Sequence, residues 1–138
     1  LERNSHWTLA ARDSGDFTQA KGQELVEAYL AQGIEFNLIF AENDNMAYGA
    51  IDALKNAGLQ PGKDVTIISF DANRTALHLV MDGEINYDVE CNPLHGPRVR
   101  AVIEQLEKGE IPPRFAFVEE SAFDAQNVSV ELIESRGY

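Results

Sequence analysis

The sequence predicts a parallel, doubly wound α/β sheet, and three observations carry that prediction. Short apolar runs alternate with segments of helical periodicity along nearly the whole chain. Glycines fall at 33, 58, 83 and 109, each just past a helix-like segment, where a chain leaving a helix takes the left-handed conformation. Two apolar runs, Phe36 to Phe40 and Val65 to Phe70, lead into Asn43-Asp44 and Asp71 with one helix between them. Strand, helix, strand units of this kind give parallel strands, because right-handed crossovers lay helices on the faces of the sheet.

In chain order, Trp7 to Ala11 reads as a short strand, and Thr18 to Gln32 as a helix with Leu25, Val26, Tyr29 and Leu30 inward. Phe36 to Phe40 is the next strand. Met46, Ala47, Ala50, Ile51 and Leu54 then recur at spacings of one, three and four, a helical pattern that Gly58 stops. After the Pro61-Gly62 turn, Val65 to Phe70 forms a strand ending at Asp71. Asn73 caps a helix carrying Leu77, Val80 and Met81, and Gly83 closes it before the strand Ile85 to Cys91. Asn92 and Pro93 start a long helix with Val99, Val102, Ile103 and Leu106 on one stripe, ending at Gly109. Beyond the Pro112-Pro113 break come a short strand over Phe115 to Val118, without an assigned partner, and a helical register of Val128, Leu132 and Ile133 within residues 125–134. Four alternating strands give three parallel pairs, a thin sheet. A free-standing domain of this class also opens with a strand whose following loop binds the ligand. The chain opens with Leu1-Glu2-Arg3-Asn4, and the expectation is a segment of a larger protein.

Composition narrows the function. The 138 residues are 44% hydrophobic, enough for one core and ordinary for a globular domain. With 11 basic and 23 acidic residues the net charge is −12, which repels nucleic acid and suits neutral ligands. No apolar run approaches the roughly 20 residues that span a bilayer, and no signal peptide opens the chain, so that either none exists or it was removed. A single cysteine, Cys91, allows no internal disulfide and is a poor metal or redox candidate. His6, His78 and His95 lack metal-ligand spacing, so no metal and no cofactor is expected. The triplets Asn73-Arg74-Thr75 and Asn127-Val128-Ser129 match a glycosylation pattern too short to carry weight.

In a parallel sheet, ligands bind along the carboxyl edge of the strands. Asn43 and Asp71 stand there side by side, each on a strand end, where an amide donates and accepts and a carboxylate accepts from paired hydroxyls. Each has a bland alternative: Asn43 as a helix cap, Asp71 as a solvated loop residue. The acidic groups at Glu42 to Asp44 and Glu119-Glu120 read as solvated faces.

The run Asn43-Asp44, a small-residue helix leaving through Ala57-Gly58, Pro61-Gly62-Lys63-Asp64 and an apolar strand ending in Asp71 resembles the type I periplasmic solute-binding proteins. That family also supplies the ligand domain of lactose-repressor-like regulators. Ser14 to Gly22, Met81-Asp82-Gly83-Glu84, Val89-Glu90, Pro93 and Gly96-Pro97 are similar to the galactofuranose-binding subgroup of sugar importers. The resemblance covers nearly the whole chain and implies the C-terminal lobe of a type I periplasmic binding protein fold. In such proteins the sugar lies between two lobes, with an aromatic ring over one face and planar polar groups on its hydroxyls. Phe17 matches the aromatic position, and Asn43 and Asp71 the two polar strand-end positions. The family's further polar side chain, two positions before the proline, is here Cys91, a departure that makes Glu90 the substitute candidate. Phe17 has its own alternative, a hydrophobic staple on the first helix. The resemblance divides the chain into residues 1–92, the ligand-binding lobe, and residues 93–138, a crossover helix and C-terminal segment that packs on or returns from a first lobe preceding Leu1. The stripe of helix 93–108 is then an exposed patch covered by another chain or by that lobe, and self-association through it is part of the expectation.

Three function classes follow. The first is a monosaccharide-binding component of an ABC importer, placed in the periplasm or on the outer face of the cytoplasmic membrane and delivering to a permease, with lobe closure as its mechanism. The second is the effector domain of a lactose-repressor-like transcription regulator. An enzyme is the third, and it is rejected: phosphate-loop glycines, a Gly-x-Ser-x-Gly elbow and a Ser-His-Asp or Cys-His set are all missing.

Overall fold

A computed structural model describes residues 6–138. Helix α1 (Gln19–Ala31) precedes strand β1 (Leu38–Phe40), helix α2 (Asp44–Asn56), strand β2 (Thr66–Asp71), helix α3 (Arg74–Met81) and strand β3 (Tyr87–Glu90). Helix α4 (Gly96–Glu107), the two-residue strand β4 (Ala122–Phe123) and helix α5 (Val130–Ser135) complete the chain. The sheet runs β1-β2-β3-β4; the first two pairings are parallel and the third antiparallel. This is a mixed, mostly parallel α/β sheet; the alternation of apolar runs and helices accounts for its two parallel pairs, and the antiparallel β4 is an addition to them.

Local chemistry sets the helix boundaries. Thr18, Asn43, Asn73 and Ser129 each accept an N–H of the following turn through the side chain, capping α1, α2, α3 and α5. At the other ends, Gly33, Gly58, Gly83 and Gly109 leave with φ between 71° and 78°. The core is built mainly from α2, β2 and α3: Ala47, Leu54, Ile67, Ala76, Leu77 and Val80 are wholly buried. α1 lies so close on α2 that a Cβ at Gly49 would sit 2.1 Å from the carbonyl oxygen of Gln19. Only glycine permits that approach.

Four expectations are corrected. Trp7 to Ala11 is not a strand; Trp7 and Leu9 are exposed, and a groove of about 1350 Å³ separates this stretch from β1. A strand needs a neighbour about 4.8 Å away, and among the described residues nothing fills the gap. The sheet therefore has two parallel pairs rather than three. Phe115 to Val118 also stays outside it, with Phe115 and Phe117 exposed, and β4 forms later in the chain. Its register is fixed where the Glu90 N–H donates to the Ser121 carbonyl at 2.8 Å and the Ser121 N–H to Glu90 Oε2 at 2.9 Å. The fourth helix begins at Gly96, not at Asn92: the Asn92 side chain accepts the Leu94 N–H at 2.9 Å, closing a local turn before Pro97 enters the first helical turn. Finally, Asp44 is no solvated acid but is fully buried.

Candidate functional site

The carboxyl edge of the parallel strands opens into a cleft of about 440 Å³ lined by Phe17, Phe40, Glu42, Asn43, Phe70, Asp71 and Cys91. Four of the five residues singled out by sequence, Phe17, Asn43, Asp71 and Cys91, meet there. Glu90 does not line it. Its carboxylate accepts from Arg136 at 3.0 Å, from the Tyr138 hydroxyl at 2.5 Å and from the Ser121 amide, and both members of the Arg136 ion pair are nearly buried. Burial pushes the Glu90 acid upward, but the Tyr138 and Ser121 hydrogen bonds and the Arg136 charge outweigh it and hold the group below the usual carboxylate range. Glu90 thus ties the C-terminus to β3.

Asn43 both caps and faces the cleft. Its Oδ1 accepts the Met46 N–H at 2.9 Å and its Nδ2 donates to the Phe17 carbonyl at 3.3 Å. An amide has two donors and two lone pairs, so one N–H and one acceptor site remain for a ligand. The same hydrogen bond fixes the loop that carries Phe17. That ring is 67% exposed, and the residue in staple register with it, the fourth of α1, is Gly22, which has no side chain to pack. The staple alternative fails on that glycine, leaving an apolar ring face open beside the polar strand ends. Phe40 and Phe70 add two rings, edge to face with centroids 5.1 Å apart. The sequence marks both only as the ends of apolar strand runs; the signal for a site was that each is the last apolar residue before its strand's polar end.

Backbone geometry marks the same place. Phe17 has φ 57°, Asp71 110° and Ala72 55°. Each such residue costs about 1–3 kcal/mol, and strain of this kind concentrates at ligand sites. Burial raises the Asp71 carboxyl above the ordinary aspartate range, opposed by the Asp44 N–H at the start of α2. Cys91 is exposed, and its N–H donates to the Asp71 carbonyl at 3.3 Å. Among the described residues no cluster of metal-ligating side chains occurs. The arrangement suits a small neutral molecule with one apolar face and several hydroxyls: rings to cover the face, an amide and a carboxylate to take the hydroxyls.

Sequence comparison decides the family. A model of the periplasmic binding protein domain matches residues 1–95. The chain belongs to that family. Its members are substrate-binding proteins, not enzymes. Among the relatives of this periplasmic binding protein domain, the galactofuranose-binding protein YtfQ of Escherichia coli is 34% identical over 131 residues, 91% of this chain and 41% of the relative. A crystal structure from Mycobacterium smegmatis in complex with β-D-fucofuranose superposes with a TM-score of 0.85 at 35% identity, over 91% of this chain and 41% of that one. A shorter stretch of 58 residues, 42% of this chain and 17% of the relative, is 41% identical to the transcriptional regulator AscG of Escherichia coli. The chain thus spans about 41% of the length of YtfQ.

Proposed function

We propose that this chain is one lobe of the sugar-binding component of an ABC importer and that its cleft holds a monosaccharide through Phe17, Asn43, Asp71 and Cys91. One observation carries the reading: an exposed aromatic face stands beside a half-committed amide and a carboxylate on a single sheet edge. The Phe17 ring covers one face of the sugar while Asn43 and Asp71 take its hydroxyls, and Cys91 supplies a weak thiol contact at the position where the family usually places a planar polar group. A furanose form of galactose is the finer reading, supported by the relatives that bind galactofuranose and fucofuranose. Residues 1–92 form the ligand-binding lobe; residues 93–138 cross to and return from a second lobe, which packs on the stripe of α4. The sugar closes the two lobes because it binds the closed state better than the open one. Delivery to a permease puts the protein in the periplasm or on the outer face of the cytoplasmic membrane.

The test is a calorimetric titration of the complete gene product with galactose, arabinose, ribose and glucose. Saturable one-to-one binding of one of these is the expected result, with galactose favoured. Silence across the panel by a folded protein overturns the monosaccharide assignment. The regulator reading, favoured only by the stretch shared with AscG, predicts instead that a sugar changes affinity for operator DNA.

A further inference from the structure

Directly behind the cleft lie two aspartates wholly removed from solvent, Asp44 and Asp88. Asp44 uses both oxygens: Oδ1 accepts the Ser69 hydroxyl at 2.7 Å and Oδ2 the Asn73 N–H at 2.9 Å. Asp88 stands opposite Ser69 in the β2–β3 register, with Phe123 of β4 on its other flank. Neither of its oxygens has a donor within bonding geometry among the described residues, yet its carboxyl is within hydrogen-bonding reach of that of Asp44. Two ionised carboxylates cannot share such a site, because each lacks water and repels the other. A neutral acid on Asp88 resolves both problems: its O–H becomes the missing donor, and Asp44 accepts it as a third bond. The proton belongs on Asp88 rather than Asp44 because Asp44 already collects two donors at the start of a helix, where negative charge is favoured.

We infer that Asp88 is a positioning residue: as the neutral member of a buried acid pair it donates to Asp44, and Asp44 in turn holds the Asp71–Ala72–Asn73 corner that sets Asp71 at the cleft. The corner needs holding, since Asp71 and Ala72 both take positive φ. One backbone amide ties it within bonding geometry, the Asn73 N–H on Asp44, while the Ala72 N–H only turns toward Asp88 and the Asp44 N–H toward Asp71. Removing the shared proton places a second negative charge against Asp44 and loosens that tie. No other fixed partner offers Asp88 a donor among the described residues.

The groups that bear on Asp88 are few. From α2 come Asp44 and Tyr48, whose hydroxyl donates to Asn73 Oδ1 at 2.7 Å. β2 contributes Asp71 and Ser69. α3, which packs against β3, buries only the apolar Ala76, Leu77 and Val80. On β3, two residues on, Glu90 is neutralised by Arg136 from the C-terminal segment, and that guanidinium lies over the Phe123 ring. Burial first, then the Asp44 charge, pushes Asp88 up to about 8, and burial pushes Asp44 to about 6 against the hydrogen bonds from Asn73 and Ser69. Both folded values lie above the ordinary aspartate value of 3.8, so the folded state holds protons that the unfolded chain has released. Stability from the pair is complete below about pH 4 and is lost as pH rises through about 8.

Its bearing on ligand binding rests on the proposed function; the positioning does not. The test is carboxyl-carbon and amide NMR of the wild type, Asp88→Asn and Asp88→Leu between about pH 6 and about pH 9, alongside thermal melts. In the wild type a buried carboxyl titrates near 8 and the amides of Asp71, Ala72 and Asn73 shift with the same midpoint. Asp88→Asn, whose amide donates at every pH, keeps the corner resonances of the neutral wild type with no step near 8 and loses the corresponding slope in melting temperature. Asp88→Leu, without a donor, displaces the corner throughout. Corner amides that titrate in Asp88→Asn as in the wild type, or an Asp88 carboxyl already ionised at neutral pH, overturn the assignment. Should Asp88→Leu not fold, wild type against Asp88→Asn alone decides. A sugar that binds should keep its affinity for Asp88→Asn into the alkaline range where the wild type weakens; absence of sugar binding leaves the NMR result to stand or fall separately.

Discussion

α2 and α4 are helices of similar length, both amphipathic in sequence, yet they end in opposite environments. α2 buries seven residues against α1 and β2, whereas α4 buries none and leaves Val99, Val102, Ile103 and Leu106 between 40% and 56% exposed. Amphipathicity records that a face is meant to be covered, and only the rest of the structure says by what. For α2 the partner is within the chain. On α4 the described residues leave the stripe uncovered, and Ile111, Phe115 and Phe117 are exposed as well. Large exposed apolar patches are the kind of surface that partners cover, and the second lobe is the proposed partner of this one.

Substitutions on the two sides of this comparison should differ sharply. Glu90→Leu leaves Arg136 buried without its carboxylate and should cost about 3–5 kcal/mol in urea unfolding, the penalty for breaking a buried ion pair. A loss under ~1 kcal/mol would mean that the C-terminal segment is not docked as described. Leu54→Ala, in the centre of α2, should cost about 2–5 kcal/mol. Leu106→Ala on α4 should stay within about 0.5 kcal/mol in this chain, as exposed substitutions do. The contrast collapses if both helices respond equally, and sharpens if Leu106→Ala becomes costly once the remaining polypeptide is present. Asp71→Ala should weaken sugar affinity by about 1.5–3 kcal/mol by calorimetry while leaving the melting temperature nearly unchanged.

Two smaller effects probe the same core. Asn73→Ala removes the cap of α3 and the acceptor of the Tyr48 hydroxyl, and should cost ~1 kcal/mol or slightly more. pH should act on the two buried acid clusters with opposite signs. The Glu90 carboxyl is held below its ordinary value, so its stabilisation is present above that value and is lost as pH falls through the depressed one; the Asp44–Asp88 pair loses its share as pH rises. Melts of Glu90→Gln and Asp88→Asn across pH separate the two slopes.

Much of this was legible in the sequence because it is local. Asn43 and Asn73 cap because an amide oxygen reaches back to free N–H groups, and the four glycines exit helices because only they take positive φ cheaply. Asn43, Asp71 and Cys91 share an edge because parallel strands end together. What escaped notice depends on partners distant in sequence. Trp7 to Ala11 alternates like a strand but has no neighbour to pair with. Asp44 sits in an acidic triplet that reads as solvated, and its burial follows from Ser69 and Asn73, 25 and 29 residues away. Glu90 is expected at the cleft as the substitute for the polar side chain that Cys91 lacks; strand alternation and Arg136, 46 residues on, turn its carboxylate elsewhere.

The central claim, that the sugar occupies the cleft at the strand ends, is tested most directly through Cys91, the one thiol of the chain, exposed on the cleft wall. The measurement is the rate of Cys91 alkylation by iodoacetamide, followed by mass spectrometry, with and without a saturating sugar. A sugar that binds should slow the reaction in proportion to occupancy, and prior alkylation should abolish its binding. Saturable binding that leaves the Cys91 rate unchanged would contradict the account and move the ligand away from this edge.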